Sequence, residues 1–285
     1  MKPEYPVPAS VRCQRPVAHQ RVHGALDLRQ GAHGLTHLYQ RAPCRVLFPD
    51  VEAGEPDQAI LITTSGGLTG GDRLEIAVAV APGAALTVST QAAEKIYRAL
   101  DEDADCRIET RIVVAGQGWA EWLGQEAILF DGARIRRTLD VELEGTARIL
   151  AVESMVFGRE AMGEALRGGR IFDRWTIRRD GLLLWVDALA LDGDIADEMT
   201  RPFAFDGARA LATILYAGAD AADHLALARA LIGEQGGATS FDGLLIVRLA
   251  GRDVAVMRRT AMRVVAGLRA AAAGLPERMP ALWSC

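Results

Sequence analysis

The chain has 285 residues, 50% of them hydrophobic and 24% charged, enough apolar material for one large core or two small ones and too little polar low complexity for wholesale disorder. A formal net charge of −5, with no patch that combines dense Lys/Arg with aromatics, sets nucleic-acid binding aside. No apolar run reaches the ~18–20 residues of a membrane span, no h-region follows Met1, and Cys13, Cys44, Cys106 and Cys285 form no C-x-x-C pair, so a reduced, cytoplasmic protein is expected.

Taken in chain order, the first strong signal is Leu74–Val80, where large apolar residues recur at every second position as in a strand with one buried face. Pro82-Gly83 punctuates the run and Ala85–Thr90 resumes it, which predicts a hairpin. Ile108–Val114 and Ile135–Leu143 repeat the pattern, and Arg148–Val156, Arg170–Arg178 and Leu182–Ala190 are further strand candidates. Residues 20–195 are thus expected to be strand-rich, which excludes a doubly wound α/β domain with helices between strands. Near residue 200 the character changes. Gly207–Ala217 and Asp220–Gln235 lose the period of two and fill with Ala and Leu, the composition of helices, with Asp220 as N-cap and Gly236-Gly237 as a stop. Gly243–Ala250 returns to strand, and Arg259–Ala273 is an amphipathic helix with Met262, Val265 and Leu268 at helical spacing. The expectation is one mainly β domain over residues 1–285 with helices between about 200 and 275.

The glycine-rich loop Thr64–Asp72 follows a strand-like segment, but Asp72 stands where a phosphate-binding loop needs lysine, and a strand follows rather than a helix. A loop with positive φ at several glycines, and with Asp72 capping backbone N–H groups, accounts for it. Ser65 lacks the G-x-S-x-G elbow of a hydrolase, and no histidine stands at a recognisable triad position. His19 and His23, then His33 and His37, are each four apart and are weak metal candidates; no cysteine or carboxylate in their flanks completes a tight site, which favours surface or hairpin positions. In Trp119–Phe130 two tryptophans alternate with polar residues, the pattern of a core strand. Glu121, Gln125 and Glu126 beside bulky walls also suit a water-filled passage, and the same question attaches to Glu153 and Glu164.

Four ordered segments carry a resemblance. They are Ala42–Pro49 with Ser65-Gly66-Gly67-Leu68-Thr69-Gly70-Gly71-Asp72, Thr90-Gln91 with Lys95 and Tyr97, Glu121-Trp122-Leu123 with Gln125-Glu126, and Gly158-Arg159 with Gly163-Glu164. Together they resemble the UreD (also called UreH) urease accessory protein family over about residues 20–275. Gly124 stands where the family has proline, and its terminal P-R-x-W element is matched only loosely by Pro276 and Trp283.

The resemblance implies a strand-rich fold of stacked sheets, β-helix- or sandwich-like, with a few helices toward the C-terminus. It implies a non-enzymatic maturation factor that binds the urease apoprotein and UreF, through which the GTPase UreG is recruited, and a passage along which nickel travels. Transient nickel is then the only cofactor, held weakly enough by carboxylate, amide and hydroxyl groups to be released. Asp72, Ser89, Thr90, Glu121, Gln125, Glu126 and Glu164 are the passage candidates, because they are polar within motif-rich apolar strands. Gly66, Gly67, Gly70, Gly71, Lys95, Tyr97, Trp122, Gly158 and Arg159 are assigned to fold integrity or partner contact. The competing readings are a β-rich hydrolase using paired carboxylates, which requires intrinsic turnover, and a nickel storage protein, which requires tight stoichiometric binding.

Overall fold

The computed structural model describes residues 20–100, 104–159 and 162–284. The chain runs through β1 (His23–Gly31), β2 (Gly34–Arg41), β3 (Cys44–Leu47), β4 (Asp57–Thr63), β5 (Arg73–Val80), β6 (Ala85–Thr90), β7 (Glu94–Ile96) and β8 (Cys106–Val114). It continues through β9 (Trp119–Leu123), β10 (Ala127–Leu129), β11 (Arg134–Leu143), β12 (Arg148–Phe157), β13 (Gly168–Arg179), β14 (Leu182–Asp194) and helix α1 (Ile195–Thr200). Then come β15 (Ala210–Ala217), α2 (Leu225–Ile232), β16 (Gly236–Phe241), β17 (Leu244–Gly251) and α3 (Val254–Ala273). No helix among the described residues is long and apolar enough to cross a membrane.

The strands form two sheets. The first has the order β14-β13-β11-β8-β5-β1-β2, and the second β16-β17-β15-β12-β9-β6-β4-β3, with β10 joining β12 to β7. Between β4 and β13 the chain alternates between sheets. β5, β8, β11 and β13 stack in parallel in one, while β4, β6, β9 and β12 stack in parallel in the other. Each return adds one strand to the first sheet and one to the β4-β6-β9-β12 stack, with the short β7 and β10 paired beside that stack; this is the winding of a β-helix, and antiparallel strands close both ends. The hairpin expected at Pro82-Gly83 is therefore not formed. That turn carries the chain from one sheet to the other, so β5 pairs with β1 and β8, and β6 pairs with β4 and β9. Both strands aim apolar residues at the space between the sheets, which an in-plane hairpin could not bury.

The inward faces make one core, with Leu28, Val78, Ile112, Leu139 and Ile177 from the first sheet against Val88, Trp122, Ala151 and Met155 from the second. The first sheet turns its other face to solvent and keeps a clean alternation, as in β5 and β8. The second sheet is covered outside by α2 and α3, which pack on Leu123, Leu150, Ile214 and Val247. Its central strands are buried on both faces and lose the period of two.

That burial explains the misreading of Gly207–Ala217. Residues 210–217 are β15, with Leu215 and Ala217 facing the inter-sheet core and Ala212, Ile214 and Tyr216 facing the helices. Asp220 does stand at the N-cap position of a short 3-10 helix, Ala221–His224, but its side chain caps no backbone N–H; it accepts from the Tyr216 O–H at 2.5 Å and lies 3.1 Å from His224 Nε2. α2 stops at Gly233 (φ 61°), and Gly236-Gly237 begin β16. α3 starts earlier than expected, at Val254, with the Asp253 carboxylate accepting from the Val256 N–H at 2.9 Å.

Candidate functional site

The four motif segments meet at one end of the stacked sheets. In the glycine loop Gly66, Gly67 and Gly71 have positive φ. A Cβ on Gly67 would stand 2.4 Å from Tyr97 Cε2, so only glycine lets the Tyr97 ring lie against the loop. The Tyr97 O–H donates to the Gly66 carbonyl at 3.1 Å, and the Leu68 N–H to the Lys95 carbonyl at 2.8 Å. Tyr97 meets Phe130 edge-on at 4.6 Å, the Arg159 guanidinium lies 3.9 Å above Phe130, and Arg159 pairs with Glu164 at 2.5 Å. Gly158 (φ 84°) lets the Glu164–Leu166 backbone approach closely. Asp72 is buried in the loop and accepts from the Val22 and Thr69 N–H groups at 2.7 and 2.8 Å. Gly70 is buried beside it, and Lys95 is exposed.

From this end a line of cavities leads into the space between the sheets. One of about 170 Å³ is bordered by Gly66, Gly67, Thr90, Glu94 and Lys95. A second, of about 70 Å³, shares Thr63, Thr90 and Glu94 with it and adds Thr110, Trp122, Gly124, Gln125, Arg137 and Glu153. A third, of about 420 Å³, shares Arg137 and Glu153 with the second and reaches Asp173, Asp187 and Arg248. A larger cavity, about 950 Å³, lies elsewhere; it is an apolar groove between the Leu47–Glu55 segment, α3 and the C-terminal residues.

Charge is concentrated where the second and third cavities meet. Strand alternation turns Arg137, Glu153 and Asp173 inward at positions flanked by Ile135 and Leu139, Ala151 and Met155, and Ile171 and Trp175. Arg137 faces Asp173 in register and donates to its carboxylate at 2.7 and 3.1 Å, while Glu153 lies 3.3 Å from Arg137 Nε. Burial opposes the Arg137 charge, but the two carboxylates outweigh it and hold the guanidinium ionised. Burial pushes the Glu153 carboxyl up to about 7 against the pull of Arg137, with Asp173 adding to the rise. Burial also raises Glu94, partly offset by a hydrogen bond from Thr63.

Of the sequence candidates, Thr90 and Gln125 border these cavities, and the Gln125 N–H donates to Thr90 Oγ1 at 2.8 Å. Trp122 forms a wall and donates its Nε1–H to Glu153 at 3.0 Å. Glu121 and Ser89 face the other way, toward α3 and the C-terminal residues. Glu121 is held by Arg269 at 2.8 Å and by the Thr87 hydroxyl; the same arginine holds Glu55 at 2.5 Å. Glu126 is paired with Arg258 at 2.5 Å, and Ser89 donates to the Leu123 carbonyl while accepting from Trp283. Glu164 lies outside the corridor in its pair with Arg159, and Asp72 is occupied by backbone. Arg137 and Asp173 were not singled out in the sequence. Their signal is a charge at the inward position of a strand whose neighbouring inward positions are apolar.

The histidines do not gather. His23 is exposed 3.6 Å from Glu75, His33 occupies the β1–β2 turn, His37 lies 3.5 Å from Asp27, and His19 falls outside the described residues. Among the described residues no group of three or more His, Cys, Asp or Glu side chains is placed to hold a metal ion. Cys44 and Cys106 are buried free thiols, raised by desolvation and nearby carboxylates.

Comparison with known proteins gives this geometry a family. The family model described as UreD urease accessory protein matches residues 19–284. Urease accessory protein UreD of Magnetococcus marinus is 41% identical over 276 residues, covering 93% of this chain and 94% of the relative. Its namesake in Rhizobium leguminosarum bv. trifolii is 41% identical over 277 residues, 97% and 98% of the two chains. That of Brucella suis is 42% identical over 266 residues, 90% and 94%. Urease accessory proteins are maturation factors rather than enzymes, which removes the hydrolase reading. The chain belongs to the UreD urease accessory protein family.

Proposed function

We propose that this protein, in its role in urease maturation, is a scaffold that joins apo-urease to UreF and, through it, to the GTPase UreG, and that nickel crosses it between the two sheets. The observation that carries the reading is the series of cavities, each sharing residues with the next, lined by Glu94, Thr90, Gln125, Glu153 and Asp173. Oxygen donors spread along a line bind a borderline cation weakly and pass it on, whereas a cluster of thiolates or imidazoles would retain it. Glu121, Glu126 and Asp72 contribute by holding strands, helix and loop in place, since each has its charge taken up by arginine or backbone N–H groups.

The test is urease from a strain that lacks this gene and expresses the urease subunits normally. Abundant, nickel-poor, inactive urease, restored by the intact gene together with co-purification of UreF, is expected. Fully loaded, active urease in that strain rules the function out.

A further inference from the structure

The corridor is interrupted by its own charge. Arg137 and Glu153 border both the 420 Å³ and the 70 Å³ cavities, and Asp173 stands beside them in the larger. The Arg137 N–H groups are directed at Asp173. Glu153 has its Oε1 fixed by the Trp122 Nε1–H at 3.0 Å, while its Oε2 is buried, accepts no hydrogen bond, and is held only by the charge of Arg137 at 3.3 Å. One guanidinium therefore stands between two carboxylates, and one of their oxygens lacks the hydrogen bond that burial normally demands.

We propose that Arg137 is a built-in counter-ion that keeps the corridor closed to cations until a divalent cation displaces it from between Glu153 and Asp173. The proposal rests on the corridor reading given above. Guanidinium suits the task because it cannot lose its proton, so a fixed positive charge stands between Glu153 and Asp173 whenever no cation is present. An arriving divalent cation satisfies both carboxylates and repels the guanidinium strongly in a poorly screened interior. The 420 Å³ cavity, bordered by Asp187, gives the Arg137 side chain a place to turn. Its return restores the pair with Asp173 and expels the cation, which makes resting affinity low and transit reversible.

Titration of the full-length protein with nickel chloride alone tests this. The unaltered protein binds weakly; Arg137→Gln gains a site with affinity about tenfold tighter or more, because two buried carboxylates have lost their partner. Adding Glu153→Gln to that variant abolishes the gain. Arg137→Lys, which keeps the charge on a more mobile single ammonium, is the second variant should Arg137→Gln fail to fold, and gains about threefold. Unchanged nickel affinity in whichever of the two variants folds, judged by circular dichroism, overturns the proposal. A merely structural arginine would lower stability without tightening nickel. Delivery by a Gly124→Trp variant, which fills the 70 Å³ cavity, separates the two ideas. Normal delivery by it removes the corridor, whereas blocked delivery with unchanged affinity at Arg137→Gln removes the gate alone.

Discussion

Arg269 on α3 and Glu121 on β9, 148 residues apart in sequence, meet through an Nε–Oε1 contact of 2.8 Å in which neither side chain is exposed to solvent. The same guanidinium reaches Glu55, and Glu55 in turn is 3.1 Å from Arg278. A motif carboxylate is thereby tied to the helix layer and to the chain beyond it. Removing one partner strands a buried charge, so Glu121→Gln and Arg269→Leu should each destabilise the protein by about 3–5 kcal/mol in urea unfolding. Wild-type stability in Glu121→Gln, with nickel loading lost, would instead assign Glu121 a direct contact with the cation.

Trp283 seals this side of the second sheet. Its Nε1–H reaches Ser89 Oγ at 3.2 Å and the Leu123 carbonyl at 3.3 Å, and the Arg258 guanidinium lies 4.8 Å over its ring. Trp283→Ala should cost about 3–5 kcal/mol, since it opens a cavity and leaves Arg258 with less of its packing. A loss below about 1 kcal/mol would show that the C-terminal residues do not dock in solution.

Cys44 and Cys106 should behave as inert thiols. Desolvation pushes the Cys44 thiol up to about 11 and raises Cys106 further, so neither is a thiolate near neutral pH. A Cys13→Ser/Cys285→Ser variant is expected to leave Ellman's reagent unreacted when native and to react when unfolded. Rapid native reaction would mean that the core around β3 and β8 opens readily.

Glu153 gives stability a definite pH dependence. Its carboxyl titrates near 7 when folded, against an ordinary value of 4.5, so the folded protein binds this proton more tightly. The contribution is complete below about pH 4.5 and is lost as pH rises through about 7. The stability of the unaltered protein minus that of Glu153→Gln should fall across this window and stay flat above it. A flat difference throughout would place the Glu153 carboxyl in water.

Much of the sheet architecture was legible in the sequence, because the first sheet has one wet face and prints its alternation in segments such as Leu74–Val80 and Ile135–Leu143. Residues 210–217 were not, because β15 is buried on both faces and a doubly buried strand has no period to show. The turn at Pro82-Gly83 was recognisable as a turn, but local chemistry does not say whether the next strand lies beside its predecessor or across the core from it. Asp72 was legible as a cap because an aspartate closing a glycine loop has few other roles. The carboxylates of Glu121 and Glu126 look alike in sequence to that of Glu153. Their surroundings differ because Arg258 and Arg269, supplied by α3, reach the first two, while Arg137, itself paired with Asp173, reaches the third.

The most direct measurement is the nickel content of urease matured by Gly124→Trp in place of the unaltered protein. A Cβ at Gly124 has no contact closer than 3.8 Å, so the first carbon of the new side chain meets no backbone clash, and the indole adds bulk beside the inter-sheet cavity that Gly124 borders. Gly116→Trp, at a turn with open space around it, is the matching control. The corridor account predicts abundant but nickel-poor and inactive urease with Gly124→Trp, and fully loaded urease with Gly116→Trp. Fully loaded urease from a folded Gly124→Trp variant would contradict it.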